Sequence, residues 1–171
     1  MVCILPSFTI LSSTSACKLH ASWCFRVEDR FKYRDYYLVD ESLTWEQARA
    51  RCSQNSDGYL AVAYSVEHFN FLKGMFDNYR SQGGSAAGAW INGKYTSSVS
   101  KWFCYDYTYG YGPTCLAGMP WSNGEPGSLA TEHCIRVAQT NTDGVVNGQC
   151  DDTMPAICAK FRYVFSRKLS Q

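Results

Sequence analysis

Nine cysteines in 171 residues constrain this chain more than any other feature of its sequence. That density is far above cytosolic usage, and no C-x-x-C pair suggests a zinc knuckle or a redox motif, so the thiols read as disulfides formed in an oxidising compartment. The first sixteen residues, MVCILPSFTILSSTSA, hold no acid, an apolar run from Val2 to Leu11, and small residues Thr14 and Ala16 before Cys17. They read as a signal peptide, with Pro6 inside the run and no basic residue ahead of it. Its removal takes Cys3 and leaves eight cysteines, an even number that can pair completely. No other stretch approaches the ~18 apolar residues of a membrane span.

At 46% apolar and 18% charged, the chain suits one domain with a buried core and not a disordered segment. A net charge of +1, without a basic block, argues against nucleic-acid or acidic-membrane partners. Residues 17–35 show no clear period and read as an N-terminal arm. A strand-like run spans Tyr36 to Val39. Thr44 lies three residues before Gln47, a capping box that predicts a helix with Trp45, Ala48 and Cys52 on one face. Ser65 opens a second predicted helix, with Val66, Phe69, Leu72, Phe76 and Tyr79 at three- and four-residue steps and Gly74 as a weak point. Residues 81–88, SQGGSAAG, mark a turn, and beyond Trp90 the chain has the short, Gly-punctuated pattern of strands and loops. Cys52 is expected to make a long tie to one of Cys134, Cys150 and Cys158.

The runs TWEQARARC at 44–52, GYLA at 58–61, AWING at 89–93 and PWSNGEP at 120–126, with Cys158 eight residues after Cys150, resemble the signature of the C-type lectin-like domain. The likeness covers about residues 31–160. It implies an α+β fold of two helices with antiparallel strands and a long, disulfide-tied loop region. The expected organisation is a signal peptide at 1–16, an arm at 17–35, the domain at 36–160 and a tail at 161–171. The resemblance implies pairing of Cys52 with Cys158 and of Cys134 with Cys150. Cys104 and Cys115, which flank a Tyr- and Gly-rich segment, are the natural third pair. Cys17 and Cys24 make the fourth, at a position that departs from the family's N-terminal pair.

Sugar-binding members of the family hold calcium with a Glu-Pro-Asn triplet, a Glu before the third core cysteine and an Asn-Asp pair before the fourth. Here Glu125, Pro126 and Glu132 match, Gly127 replaces the triplet Asn, and Val145, Val146 and Asn147 stand where the family has Trp, Asn and Asp. The resemblance therefore names Glu125, Glu132 and Asn147 as metal and ligand residues, with fewer oxygens and less negative charge than a six- to eight-coordinate calcium needs. Calcium is expected to bind weakly or not at all, and no other cofactor is implied. The resemblance also implies a cis bond before Pro126.

Outside the family pattern, Trp102, Tyr105, Tyr107, Tyr109 and Tyr111 lie in or beside the Cys104–Cys115 segment. Alternation places the four tyrosines on one face if the segment is extended. Tyr supplies rigid contact area with a polar tip, so this loop is a candidate binding surface, the alternative being that its rings pack inward. His20, His68 and His133 lie apart, without a nucleophile or metalloprotease motif, so no enzyme is expected. The reading is a secreted, extracellular recognition protein that binds a carbohydrate or protein ligand without calcium. The alternative is a calcium-dependent lectin, of innate-immune type, that completes the shell of Glu125 and Glu132 with substitute ligands.

Overall fold

A computed structural model describes residues 22–28, 33–54, 58–106, 110–112, 119–127, 133–139 and 143–161; residues 22–28, 33, 105, 106 and 110–112 are described for the backbone alone. The expected signal peptide, Cys17, His20, Tyr107, Tyr109, Cys115, Glu132 and residues 162–171 lie outside the described residues.

The chain runs through β1 (Ser22–Glu28), β2 (Tyr33–Leu43), α1 (Trp45–Ser53), β3 (Gly58–Leu60), α2 (Val66–Ser81) and β4 (Gly88–Thr96). A 3-10 turn at Ser97–Val99 leads to β5 (Lys101–Asp106), β6 (Gly110–Gly112), β7 (His133–Ala138), β8 (Val146–Gln149) and β9 (Met154–Phe161). The strand order β1-β2-β9-β4-β5-β6 places the last strand near the centre, between the beginning and the middle of the chain. Part of the arm is thus a strand, because β1 pairs antiparallel with β2 from Ser22 opposite Val39 to Glu28 opposite Tyr33.

The capping box forms as its residues predict. Gln47 N–H donates to Thr44 Oγ1 at 3.3 Å, and Thr44 N–H donates to Gln47 Oε1 at 3.0 Å. Trp45, Ala48 and Cys52 form the buried face of α1. Cys52 bonds Cys158 on β9, with a Cα separation of 5.4 Å, so the helix is tied to the strand beneath it. The Trp45 indole donates to Ile91 O at 2.9 Å, joining α1 to β4, and the Trp90 indole donates to Leu43 O at 2.8 Å, joining β4 to the end of β2, which satisfies two buried donors.

Helix α2 begins where Ser65 caps the His68 N–H at 3.2 Å and runs through Gly74, burying Phe69, Leu72, Met75, Phe76 and Tyr79. Val66 departs from the expected stripe. It is 53% exposed, and Tyr64 just before the helix is exposed as well, so the buried stripe begins at Phe69. The buried Tyr79 phenol donates to Asp40 at 2.8 Å, and burial together with that carboxylate pushes its pKa up to about 12. Cys134 on β7 bonds Cys150 just after β8, at a Cα separation of 5.0 Å. Cys104 is also disulfide-bonded, while its expected partner lies outside the described residues. Cys24 lies in β1 opposite Tyr37.

Candidate ligand-binding site

Two stretches of chain meet at one end of the domain, residues 119–127 and residues 143–147. Val145 N–H donates to Pro120 O at 2.7 Å and Ser122 N–H to Val145 O at 3.0 Å, and Trp121 pairs with Val145 as a parallel bridge. This approach requires glycine at 144. A Cβ there would fall 2.2 Å from Pro120 O and 2.4 Å from the Trp121 carbonyl carbon, closer than any side chain tolerates. A turn follows, closed by Glu125 N–H to Ser122 O at 2.9 Å, with Gly124 at φ 83°. The Glu125-Pro126 bond is cis, as the resemblance implies.

Asp143 pins this turn, accepting from the Ser122 hydroxyl at 3.1 Å and from the Asn123 N–H at 3.4 Å. The Ser122 bond first, and backbone N–H donors after it, hold the Asp143 carboxyl below the usual range. A depressed acid contributes its stabilisation above its unfolded pKa and loses it as pH falls through the folded one. Being fully exposed, Asp143 is better read directly than through stability. An NMR titration should place its midpoint below the ~3.9 of an ordinary aspartate, and Ser122→Ala should move it upward. An unmoved midpoint would mean that the turn is not held by this carboxylate.

Beyond the cis bond, Gly127 N–H donates to Glu125 Oε2 at 2.8 Å and to Asn147 Oδ1 at 3.0 Å. Asn147 N–H adds a longer bond to Glu125 Oε2 at 3.4 Å, and Asn147 Nδ2 donates to His133 Nδ1 at 3.0 Å. The structure thus brings Glu125 and Asn147 together, as the resemblance implies. It adds His133, a buried ring on β7 that sequence reasoning set aside as isolated; its neighbour Cys134, bonded across to the end of β8, was the signal that could have placed it here.

Among the described residues the oxygen donors gathered here are one carboxylate and one amide. Val145 and Val146 are buried apolar side chains. Gly127 contributes only its N–H, although a Cβ there would sit at ordinary contact distances, 3.6 Å from Asn147 Oδ1 and 3.7 Å from Glu125 Oε2. Within the described residues that is fewer oxygens than a calcium shell takes, Glu132 lying outside them, and no cluster of three or more His, Cys, Asp or Glu suited to a metal occurs there.

The aromatic segment is placed differently from its expectation. Trp102 is 6% exposed, with its ring 5.5 Å from Tyr95 and 4.9 Å from Trp121, so its indole packs within the core. The segment is not one extended strand either. Strands β5 and β6 fold back on each other, with Tyr105 opposite Tyr111 and Cys104 opposite Gly112. The hairpin is joined to the long loop at its base, through the contact of Trp102 with the half-buried Trp121. His68, on α2, packs among Tyr36, Tyr64 and Phe71.

Comparison with known proteins supports the fold. Residues 41–160 match the lectin C-type domain family. Lithostathine of Rattus norvegicus is 25% identical over 130 residues, which cover 74% of this chain and 72% of that protein. The structure of human lithostathine superposes with a TM-score of 0.63 at 16% identity, covering 78% of this chain and 96% of that one. The C-type carbohydrate-recognition domain of cow CD23, solved in the presence of a GlcNAc2Man3 oligosaccharide, gives a TM-score of 0.57 at 19% identity, covering 81% and 99%.

Proposed function

The chain belongs to the C-type lectin domain family, and from that premise we propose that it is an extracellular recognition protein that binds its ligand without calcium. The observation that carries this reading is the double engagement of the Gly127 N–H. The carboxylate of Glu125 and the amide oxygen of Asn147, which would face a cation in a calcium-dependent member, converge instead on a backbone donor of the same loop. Those bonds tie residues 125–127 to β8 directly. The loop then needs no metal to hold its shape, and Glu125 Oε2 and Asn147 Oδ1 are already engaged within the protein.

The binding face in this reading comprises Glu125, Gly127 and Asn147 with the adjoining β5–β6 hairpin, a tyrosine-rich stretch of sequence of the kind that recognition loops favour. Its ligand is a glycan or protein of an extracellular surface. The oligosaccharide present with the CD23 domain supports the glycan class. The contacts of the histidines give catalysis no support: His68 packs against Tyr36 and Tyr64, and His133 is bonded to Asn147.

A glycan array probed with the protein in calcium, and again in chelator, tests the proposal. Equal binding in both arms is the expected result, and binding confined to the calcium arm would overturn it. Melting offers a check that needs no ligand. If calcium binds no more tightly than ~1 mM, adding ~1 mM stabilises by at most ~0.4 kcal/mol, about 1 to 2 °C for a chain of this size. A larger rise that Glu125→Ala abolishes would restore a calcium site.

A further inference from the structure

Three Asn-Gly pairs occur in the chain, Asn92-Gly93, Asn123-Gly124 and Asn147-Gly148. The pair is chemically labile, because the glycine nitrogen can reach the asparagine side-chain carbonyl carbon with no Cβ in the way. Reaction requires that both groups be free to move toward each other. The fold treats the three pairs differently.

Asn92 is 2% exposed inside β4, its N–H donates to Ala61 O at 2.8 Å, and Gly93 is packed against Ile135. Asn147 lies in β8, with its amide oxygen on Gly127 and its amide nitrogen on His133, and Gly148 is paired with Cys134. Asn123 is exposed in the turn between Ser122 and Glu125. Its backbone N–H is held by Asp143, but its side-chain amide and the Gly124 N–H have no hydrogen bond among the described residues. Nothing lies within 4 Å of the position a Gly124 Cβ would take, so the turn has room to distort.

We propose that Asn123-Gly124 is a site of spontaneous deamidation and isoaspartate formation, and that the fold protects Asn92 and Asn147. The Gly124 nitrogen attacks Asn123 Cγ and forms a ring N–Cγ bond. The Cγ–Nδ2 bond breaks, and ammonia leaves with the proton lost from Gly124. Water then opens the succinimide at either carbonyl, giving aspartate or isoaspartate. The sum is one water consumed and one ammonia released, with no change of oxidation state. The product places a second carboxylate beside Asp143. In the isoaspartate form an extra methylene also enters the backbone of the turn that sets Glu125 and Pro126. The reaction stands independently of the binding reading; only its consequence for binding depends on it.

The test is incubation of the full-length, oxidised protein at mildly alkaline pH, followed by peptide mapping and by isoaspartate labelling with a carboxyl methyltransferase. Asn123 should convert at least ~10-fold faster than Asn92 or Asn147, which react only after local opening. Asn123→Gln should remove the fast labelling, and the reduced, denatured chain should convert all three pairs at similar rates. An Asn123 that stays unchanged in the folded protein, or converts no faster than the other two, would overturn the proposal.

Discussion

Replacing Cys52 and Cys158 together by alanine is expected to lower stability by about 4–5 kcal/mol in the chain-entropy picture of a crosslink. For a chain of this length that is roughly a 10–20 °C fall in melting temperature. The bond closes 106 residues, whereas Cys134–Cys150 closes 16. Since the constraint on the unfolded chain grows with the logarithm of loop length, the shorter bond should cost about 3 kcal/mol when removed by the same double substitution. The long bond has a second role that loop length does not capture. It joins the buried face of α1 to β9, the strand that pairs with β2, β3 and β4, so its loss loosens the helix from the sheet that organises both core clusters. Thermal or denaturant unfolding of the two double variants checks the order. If removing the short bond cost more than removing the long one, native-state strain or packing, and not loop closure, would be setting the stability.

The parts of this fold that could be read from the sequence are those whose signals lie within a few residues of one another. Thr44 and Gln47 satisfy each other's backbone donors three positions apart, and the stripe from Phe69 to Tyr79 repeats at the helical period, so both helices were legible. Pairing of Cys52 with Cys158 and of Cys134 with Cys150 was not legible in that way; it came from the resemblance, and the structure agrees. What local pattern missed is decided by partners far along the chain. Strand β1 carries no clear period of its own and is defined by its pairing with β2. Gly144 is one of thirteen glycines, and only the approach of Pro120 and Trp121 shows why it must be one. The same holds for the candidate site. Glu125 and Asn147 are 22 residues apart, and the hydrogens that join them belong to the backbone N–H groups of Gly127 and Asn147, atoms that every residue but proline carries and no sequence pattern marks.

Trp102 is the sharpest case of this ambiguity, and its replacement by alanine is expected to cost about 3–5 kcal/mol, the range for emptied buried aromatic sites. An indole two residues before a disulfide cysteine, next to a run of alternating tyrosines, reads equally well as a binding residue or a core residue. The deciding contacts come from Tyr95 across the β4–β5 pair and from Trp121 in the long loop. Because Trp121 also bridges to Val145, the damage should spread beyond the cavity. The 119–127 stretch, and through it 143–147, would lose the ring contact of Trp121 with Trp102, so near-ultraviolet circular dichroism should change along with the melting temperature. Trp102→Phe, which keeps a ring between its two neighbours, should recover much of the loss. Val99→Ser nearby provides the contrast, since a side chain 51% exposed should change stability by no more than ~0.5 kcal/mol. An unchanged melting temperature in Trp102→Ala would show that the indole does not support the core, and would return it to the binding surface that its sequence neighbours suggest.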